Sequence, residues 1–207
     1  MAPFETFLDF MSRGGLVMWP LLGLSVLTGS VVVERAVFWW RIDARRGRLR
    51  YRRLTEAIQA GDAIRLNGLA ETDDSPFAGL VRRLPLDGPP IDETTAAIAA
   101  EEERPRCERG GLLLSTVVTA APMLGILGTV IGIIQAFELL GGDATITDPT
   151  DVSGGIAEAL ISTACGLVVA LTALFPYMFF RARSERALGR LEAVAAGIVS
   201  VSHRSAR

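Results

Sequence analysis

GGLLLSTVVTAAPMLGILGTVIGIIQAF, residues 110–137, runs for 28 positions without a charged side chain. About 18 apolar residues in a row mark a membrane-helix candidate, so this stretch is long enough to cross a bilayer. Leucine alone would have served that purpose. Instead the segment carries Ala121, Gly125, Gly128, Gly132 and Ala136, which on an ideal helix fall with Thr129 inside an arc of about 100°. Such a stripe lets another helix approach closely, and this matters in lipid because the surroundings supply no hydrophobic drive to hold helices together. Gly125, Gly128 and Gly132 are therefore read as packing positions. Thr129 lies at the edge of the stripe, with Pro122 and Ser115 rotated further the same way. Its hydroxyl has two readings: a polar group lining a passage, or a side chain bonded to the carbonyl one turn back.

Two further apolar blocks of spanning length lie outward of this one, at about 14–40 and 154–180. The chain as a whole is 207 residues, half of them hydrophobic, with a mean hydropathy of +0.37. This composition predicts an all-α, polytopic membrane protein in which three transmembrane helices extend into a cytoplasmic helical bundle. All 21 basic residues are arginine, and their placement is lopsided. Seven lie from Arg41 to Arg53, Arg104, Arg106 and Arg109 precede the second block, and Arg181, Arg183, Arg186 and Arg190 follow the third. Asp143, Asp148 and Asp151 occupy a loop with no basic residue. The positive-inside rule then orders the chain as an outer arm at 1–13, transmembrane helices at 14–40, 110–140 and 154–180, cytoplasmic segments at 41–109 and 181–207, and an outer loop at 141–153. A cleaved signal peptide is not expected, because the arm before the first block is acidic (Glu5, Asp9) and the apolar run continues past any cleavage site near Gly29. The run RIDARRGRLRYRR (41–53) sits directly inside a span and reads as an orientation and anionic-lipid signal, not as a nucleic-acid site.

Within 41–109, Leu49, Leu54 and Ile58 keep helical spacing up to a stop at Gly61, and Asp62 opens a second short helix. TDDSP and PLDGPP bracket a third, about 77–84, and a fourth starts at Asp92 with Pro105 as a possible kink. Ala187, Leu188, Leu191, Val194, Ala195 and Ile198 give the tail an apolar helical face.

The third block repeats the small-residue chemistry, with Ala159, Thr163, Gly166 and Ala170 on one face. Glu158 is its one carboxylate, about a turn from the outer end. An ionisable group inside a membrane helix is a functional candidate, and the competing reading is an interfacial acid favoured by the helix dipole. On a straight helix Glu158 shares a face with Ser162, whereas Thr163 is turned about 140° away. Arg35, beside Glu34, is expected to snorkel to the headgroups, and Trp19, Trp39 and Trp40 to mark the interfaces. No Asp, Glu, His or Lys occurs near the middle of any block. A proton relay through these helices would therefore need its titratable group from another chain. Two cysteines, Cys107 and Cys165, provide no disulfide framework or metal site. No phosphate-cradling loop or nucleophile-and-base set is present, so an enzyme is not expected, nor any cofactor.

Taken together, GGLVMWPLLGLSVLTGSVVVERAVFWWR, LLSTVVTAAPMLGILGTVIGIIQAF and GIAEALISTACGLVVALTA resemble the MotA/TolQ/ExbB proton-channel family, closest to its three-span ExbB/TolQ branch. The resemblance covers about Gly14 to Arg190. It implies a homo-oligomeric ring, pentameric in the family, around the membrane helices of a single-span ExbD/TolR-like partner. That partner's membrane aspartate carries protons as the coupling ion, and a TonB/TolA-like energy transducer is a further implied partner. It places the protein in a bacterial inner membrane, so that the 1–13 arm and the 141–153 loop face the periplasm. The family's inward-facing threonines match Thr129 and Thr163, and its glutamate matches Glu158, making these three the expected proton-pathway residues beside the packing glycines Gly125, Gly128, Gly132 and Gly166. Where relatives often close the third span with proline, alanine and asparagine, this chain has Thr172, Pro176 and Met178. The rival reading is a non-conducting membrane scaffold that clusters a partner.

Overall fold

A backbone in hydrocarbon must satisfy its own hydrogen bonds, and the three apolar blocks do so as helices. The computed structural model describes residues 5, 11, 14–86, 88–141 and 149–205. Most of the 1–13 arm and of the 141–153 loop, including Asp9, Arg13, Asp143 and Asp148, lies outside the described residues, as does Asp87. The helices are α1 (Met18–Asp43), α2 (Arg45–Ala60), α3 (Ala63–Glu71), α4 (Pro76–Arg83), α5 (Glu93–Glu108), α6 (Gly111–Gly141) and α7 (Pro149–Ser205). No strand occurs among the described residues. Among the described residues three helical stretches are long and apolar enough to cross a membrane: Met18–Asp43, Gly111–Glu138 and a part of α7 within Ser153–Arg204. The third apolar block and the arginine-rich tail form one unbroken helix of 57 residues.

The chain divides into two compact units. Unit 1 takes Met1–Val33 and Leu112–Met178, and so holds most of the three apolar stretches. Its core is small, with Val17, Met18 and Leu21 meeting Val117, Ala121, Ala170 and Ala173. Large apolar side chains such as Val26, Met123, Ile126, Ile134, Leu160, Val168 and Phe175 are exposed on the chain itself, the reverse of a water-soluble bundle. The hydroxyls of Thr28, Ser30, Ser115, Thr116, Thr119 and Thr172 each donate to a carbonyl three or four residues back. A hydroxyl so engaged can sit in an apolar medium without the penalty of a lost hydrogen bond.

Unit 2, Glu34–Gly111 with Phe179–Arg207, packs in the manner of a soluble protein. Leu54, Ile58, Leu66, Phe77, Leu80, Val81, Leu191, Val194 and Ile198 are buried in it. Its turns follow capping chemistry. Gly61 (φ 68°) closes α2 and Gly110 (φ 77°) separates α5 from α6, both in the left-handed region that side chains with a Cβ avoid. Asp62, Ser75 and Asp92 cap α3, α4 and α5, accepting from the amides of Arg65, Ala78 and Thr95. The hydrogen bonds from Thr95 hold the Asp92 carboxyl below its ordinary range. Pro105 is accommodated inside α5, which ends only at Glu108.

Two expectations are corrected here. Arg35 does not snorkel outward: it is 4% exposed, with NH1 donating to the Arg106 carbonyl at 3.1 Å and NH2 to Glu34 at 3.0 Å. Its guanidinium also lies 4.6 Å from the centroid of the Phe38 ring. A backbone carbonyl and a carboxylate within reach hold its two terminal nitrogens where it stands, so the side chain stays folded inward. Trp39 is likewise not an interfacial belt residue but 3% exposed, edge-on to Phe38, whereas Trp19 and Trp40 are exposed.

Candidate functional site

The small residues of α6 and α7 meet along one seam. On α6 they are Ala121, Gly125, Gly128, Gly132 and Ala136; on α7 they are Gly155, Ala159, Ser162 and Gly166. From Ala121 to Gly132 and from Gly155 to Gly166 both series step by four, three and four residues, and Ala136 follows four further on, so that one stripe of each helix faces one partner. The pairing is antiparallel. A Cβ placed on Gly166 would lie 3.0 Å from the Gly125 Cα, one on Gly132 would lie 2.8 Å from the Ala159 Cβ, and one on Gly155 would lie 3.3 Å from the Ala136 Cβ. Backbones this close leave no room for larger side chains and bring carbonyls of one helix within reach of hydroxyls of the other.

Two hydroxyls use that proximity. Thr163 Oγ1 donates to the Gly125 carbonyl at 2.8 Å, across the seam. Ser162, 1% exposed, donates to Ala159 at 2.7 Å and faces the same Gly125 carbonyl at 3.4 Å. A Cβ on Gly128 would come within 2.7 Å of the Ser162 Cβ. Ser162 was not among the residues expected from the sequence. Its position one turn beyond Ala159 in the repeat of small residues was the available signal.

Thr129, beside Gly128, is half-buried, and its hydroxyl donates to the Ile126 carbonyl at 2.6 Å. Its bond is thus of the local kind that membrane threonines favour, while its oxygen keeps acceptor capacity. Glu158 lies at neither hydroxyl. Its side chain stands over Gly15, where a Cβ would meet the Glu158 Cδ at 3.1 Å, so the segment entering α1 covers this carboxylate. Glu158 is half-buried. Thr163, Ser162, Gly125, Gly128, Gly132 and Gly166 therefore form one constellation, with Thr129 at its margin and Glu158 toward the start of α7.

From Gly111 to Phe137 no side chain of α6 is ionisable, and in α7 none is between Ile156 and Phe180 except Glu158, Cys165 and Tyr177. The described residues also hold no group of three or more His, Cys, Asp or Glu side chains placed to bind a metal. The seam offers hydroxyls and carbonyls, which can solvate a proton carrier but cannot store the proton.

Residues 72–193 match the MotA/TolQ/ExbB proton channel family. The chain belongs to this family. It is 36% identical over 171 residues to a putative biopolymer transport protein, ExbB-like 3, of Synechocystis sp., covering 80% of this chain and 81% of the relative. It is 42% identical over 110 residues to the Tol-Pal system protein TolQ of Pseudomonas aeruginosa, covering 52% and 46%. To the biopolymer transport protein exbB1 of Vibrio cholerae it is 26% identical over 194 residues, covering 91% and 85%. With three apolar helices of spanning length, this member of the family is a multi-pass membrane protein of the ExbB/TolQ kind.

Proposed function

We propose that this ExbB/TolQ-type protein is the stator-like subunit of an inner-membrane motor. Several copies enclose an apolar lumen in which the membrane aspartate of a single-span ExbD/TolR-like partner is alternately protonated and released. The N-terminus and the 141–153 loop face the periplasm, and the 41–109 and 181–207 segments face the cytoplasm. The observation that carries this reading is the charge-free Gly111–Phe137 stretch of α6 with its close seam to α7, where hydroxyls line the helices and a titratable group at mid-membrane must come from elsewhere. A carboxylate crossing such a lumen is neutral when protonated and costly to hold when ionised, and this difference couples proton passage to movement of the partner. Each elementary charge crossing the membrane supplies roughly 2.3 kcal/mol per 100 mV, enough to bias a rotation or a conformational step.

Thr129 and Thr163 serve as hydroxyl acceptors beside the partner's acid, and Thr163 also ties α7 to α6 at that level. Glu158 acts at the outer end of the path. The protein works as a transport energiser and not as an enzyme, with protons as the coupling ion and no resident cofactor. The driven load is a TonB/TolA-like transducer or the partner's own envelope contact. Proton flux into liposomes tests this: flux that depends on the ExbD/TolR-like partner, and disappears when its membrane aspartate becomes asparagine, is expected. Stable binding of the partner with no flux under a membrane potential would replace this reading with the non-conducting scaffold.

A further inference from the structure

We infer that unit 2 carries a built site for the phosphate headgroup of an anionic phospholipid, in the cavity framed by the end of α1, the start of α2, the 73–75 turn and the end of α5. The cavity measures about 620 Å³, within the usual range for small-molecule sites. Arg35, Arg41, Arg50, Arg106 and Arg109 line it, against the carboxylates of Glu34, Asp73 and Asp74, so five positive groups face three negative ones and leave an excess of two.

The carboxylates are already committed. Glu34 accepts from Arg35 at 3.0 Å and lies 3.7 Å from Arg109; Asp73 takes Arg50 at 3.1 Å and the Ser75 hydroxyl at 2.8 Å; Asp74 takes Arg106 at 3.0 Å. Among the described residues Arg41 pairs with no carboxylate, and the buried Nε–H of Arg35 has no acceptor. One guanidinium without a matching acid, beside a buried N–H without an acceptor and four further arginines that share their acids, favours an oxyanion that accepts several N–H bonds.

The same cavity has an apolar wall supplied by Val37, Phe38 and Ile42 of α1. These residues lie at the charged end of a membrane-spanning helix, where a headgroup and the first methylenes of its acyl chains would be found. Inorganic phosphate has no part that could use this wall. A choline headgroup would bring its own cation among the arginines, whereas phosphatidylglycerol brings only the phosphate charge and two hydroxyls. The lipid source therefore fits better than a soluble anion. The inference rests on the proposed orientation only in assigning the site to the inner leaflet.

The test uses the full chain purified in neutral detergent and offered phosphatidylglycerol, phosphatidylcholine or inorganic phosphate separately. Native mass spectrometry reads the retained adducts, and melting temperature reads the stabilisation. Retention of phosphatidylglycerol over the other two is expected. The double substitution Arg41→Gln/Arg109→Gln should weaken it about 100-fold, at the lower end of what two charge-assisted hydrogen bonds contribute. The control Arg52→Gln/Arg53→Gln on the exposed face of α2 should leave it unchanged, since neither residue lines the cavity. Equal losses in both variants would show diffuse surface attraction and overturn the site, and equal binding of inorganic phosphate would overturn the lipid assignment. Neither readout involves proton flux, so this site and the channel reading fail independently.

Discussion

Alanine at position 166 should part α6 from α7. Its Cβ would stand 2.6 Å from the Ala121 carbonyl oxygen, 3.0 Å from the Gly125 Cα and 3.2 Å from the Gly125 nitrogen. All three are backbone atoms, so no change of rotamer relieves the overlap. Reaching ordinary contact at 3.4 Å requires a retreat of about 0.8 Å at the tightest point. Thr163 lies one turn away on the same face, and the same retreat would lengthen its bond to the Gly125 carbonyl from 2.8 Å to about 3.6 Å, beyond hydrogen-bonding range. Overpacking costs typically about 1–3 kcal/mol and an interhelical membrane hydrogen bond contributes about 0.6, giving about 2–4 kcal/mol for Gly166→Ala. The assay is reversible unfolding in mixed micelles on a double-mutant cycle with Thr163→Val. Because the alanine already breaks the threonine bond, its cost should fall by about 0.6 kcal/mol in the valine background. Strict additivity, or wild-type stability of Gly166→Ala, would refute the claim that the glycine holds the two backbones at bonding distance.

Thr129→Val should preserve assembly yet lower partner-dependent proton flux severalfold in liposomes, as should Thr163→Val; undiminished flux in both removes the hydroxyls from the pathway. Glu103, 1% exposed, is held by Arg83 at 3.0 Å and Arg106 at 3.2 Å and rests against Gly79. Glu103→Ala removes the shared anion of two partly exposed arginines that keep Glu102 and Asp74, and should cost about 1.5–3 kcal/mol in chemical denaturation of the purified protein. Burial, reinforced by the Glu103 charge, pushes the Cys107 thiol up from 9.0 to about 11. A thiol raised in the folded state stabilises fully below pH 9, and that contribution is lost as pH climbs from 9 to about 11. The melting temperature of Cys107→Ala should accordingly fall less over that interval than that of the parent; parallel curves would show that the thiol does not take part.

The helix boundaries in unit 2 were readable from local chemistry. Gly61 and Asp62, Ser75 before Pro76, and Asp92 before the 93–108 helix each act within three or four residues, the range over which a cap bonds its own backbone. The glycines of α6 were readable for a similar reason, since spacing on one helix fixes which residues share a face. Glu103 was not. Within EEER it resembles a solvated acid, and its burial depends on Gly79, 24 positions earlier, leaving space for the carboxylate.

Composition and periodicity alone establish three apolar helices of spanning length, their charge-free interiors and the small-residue stripes, because hydropathy and helical spacing are properties of one segment at a time. Folding settles which stripe meets which, that Ser162 and not Thr163 fills the space above Gly128, that Glu158 is covered by Gly15, and that Arg35 and Trp39 turn inward. Each of these depends on a surface contributed by a distant part of the chain. A pattern along one helix can state how large a neighbour it admits, but not which residue arrives or what polar group that residue brings.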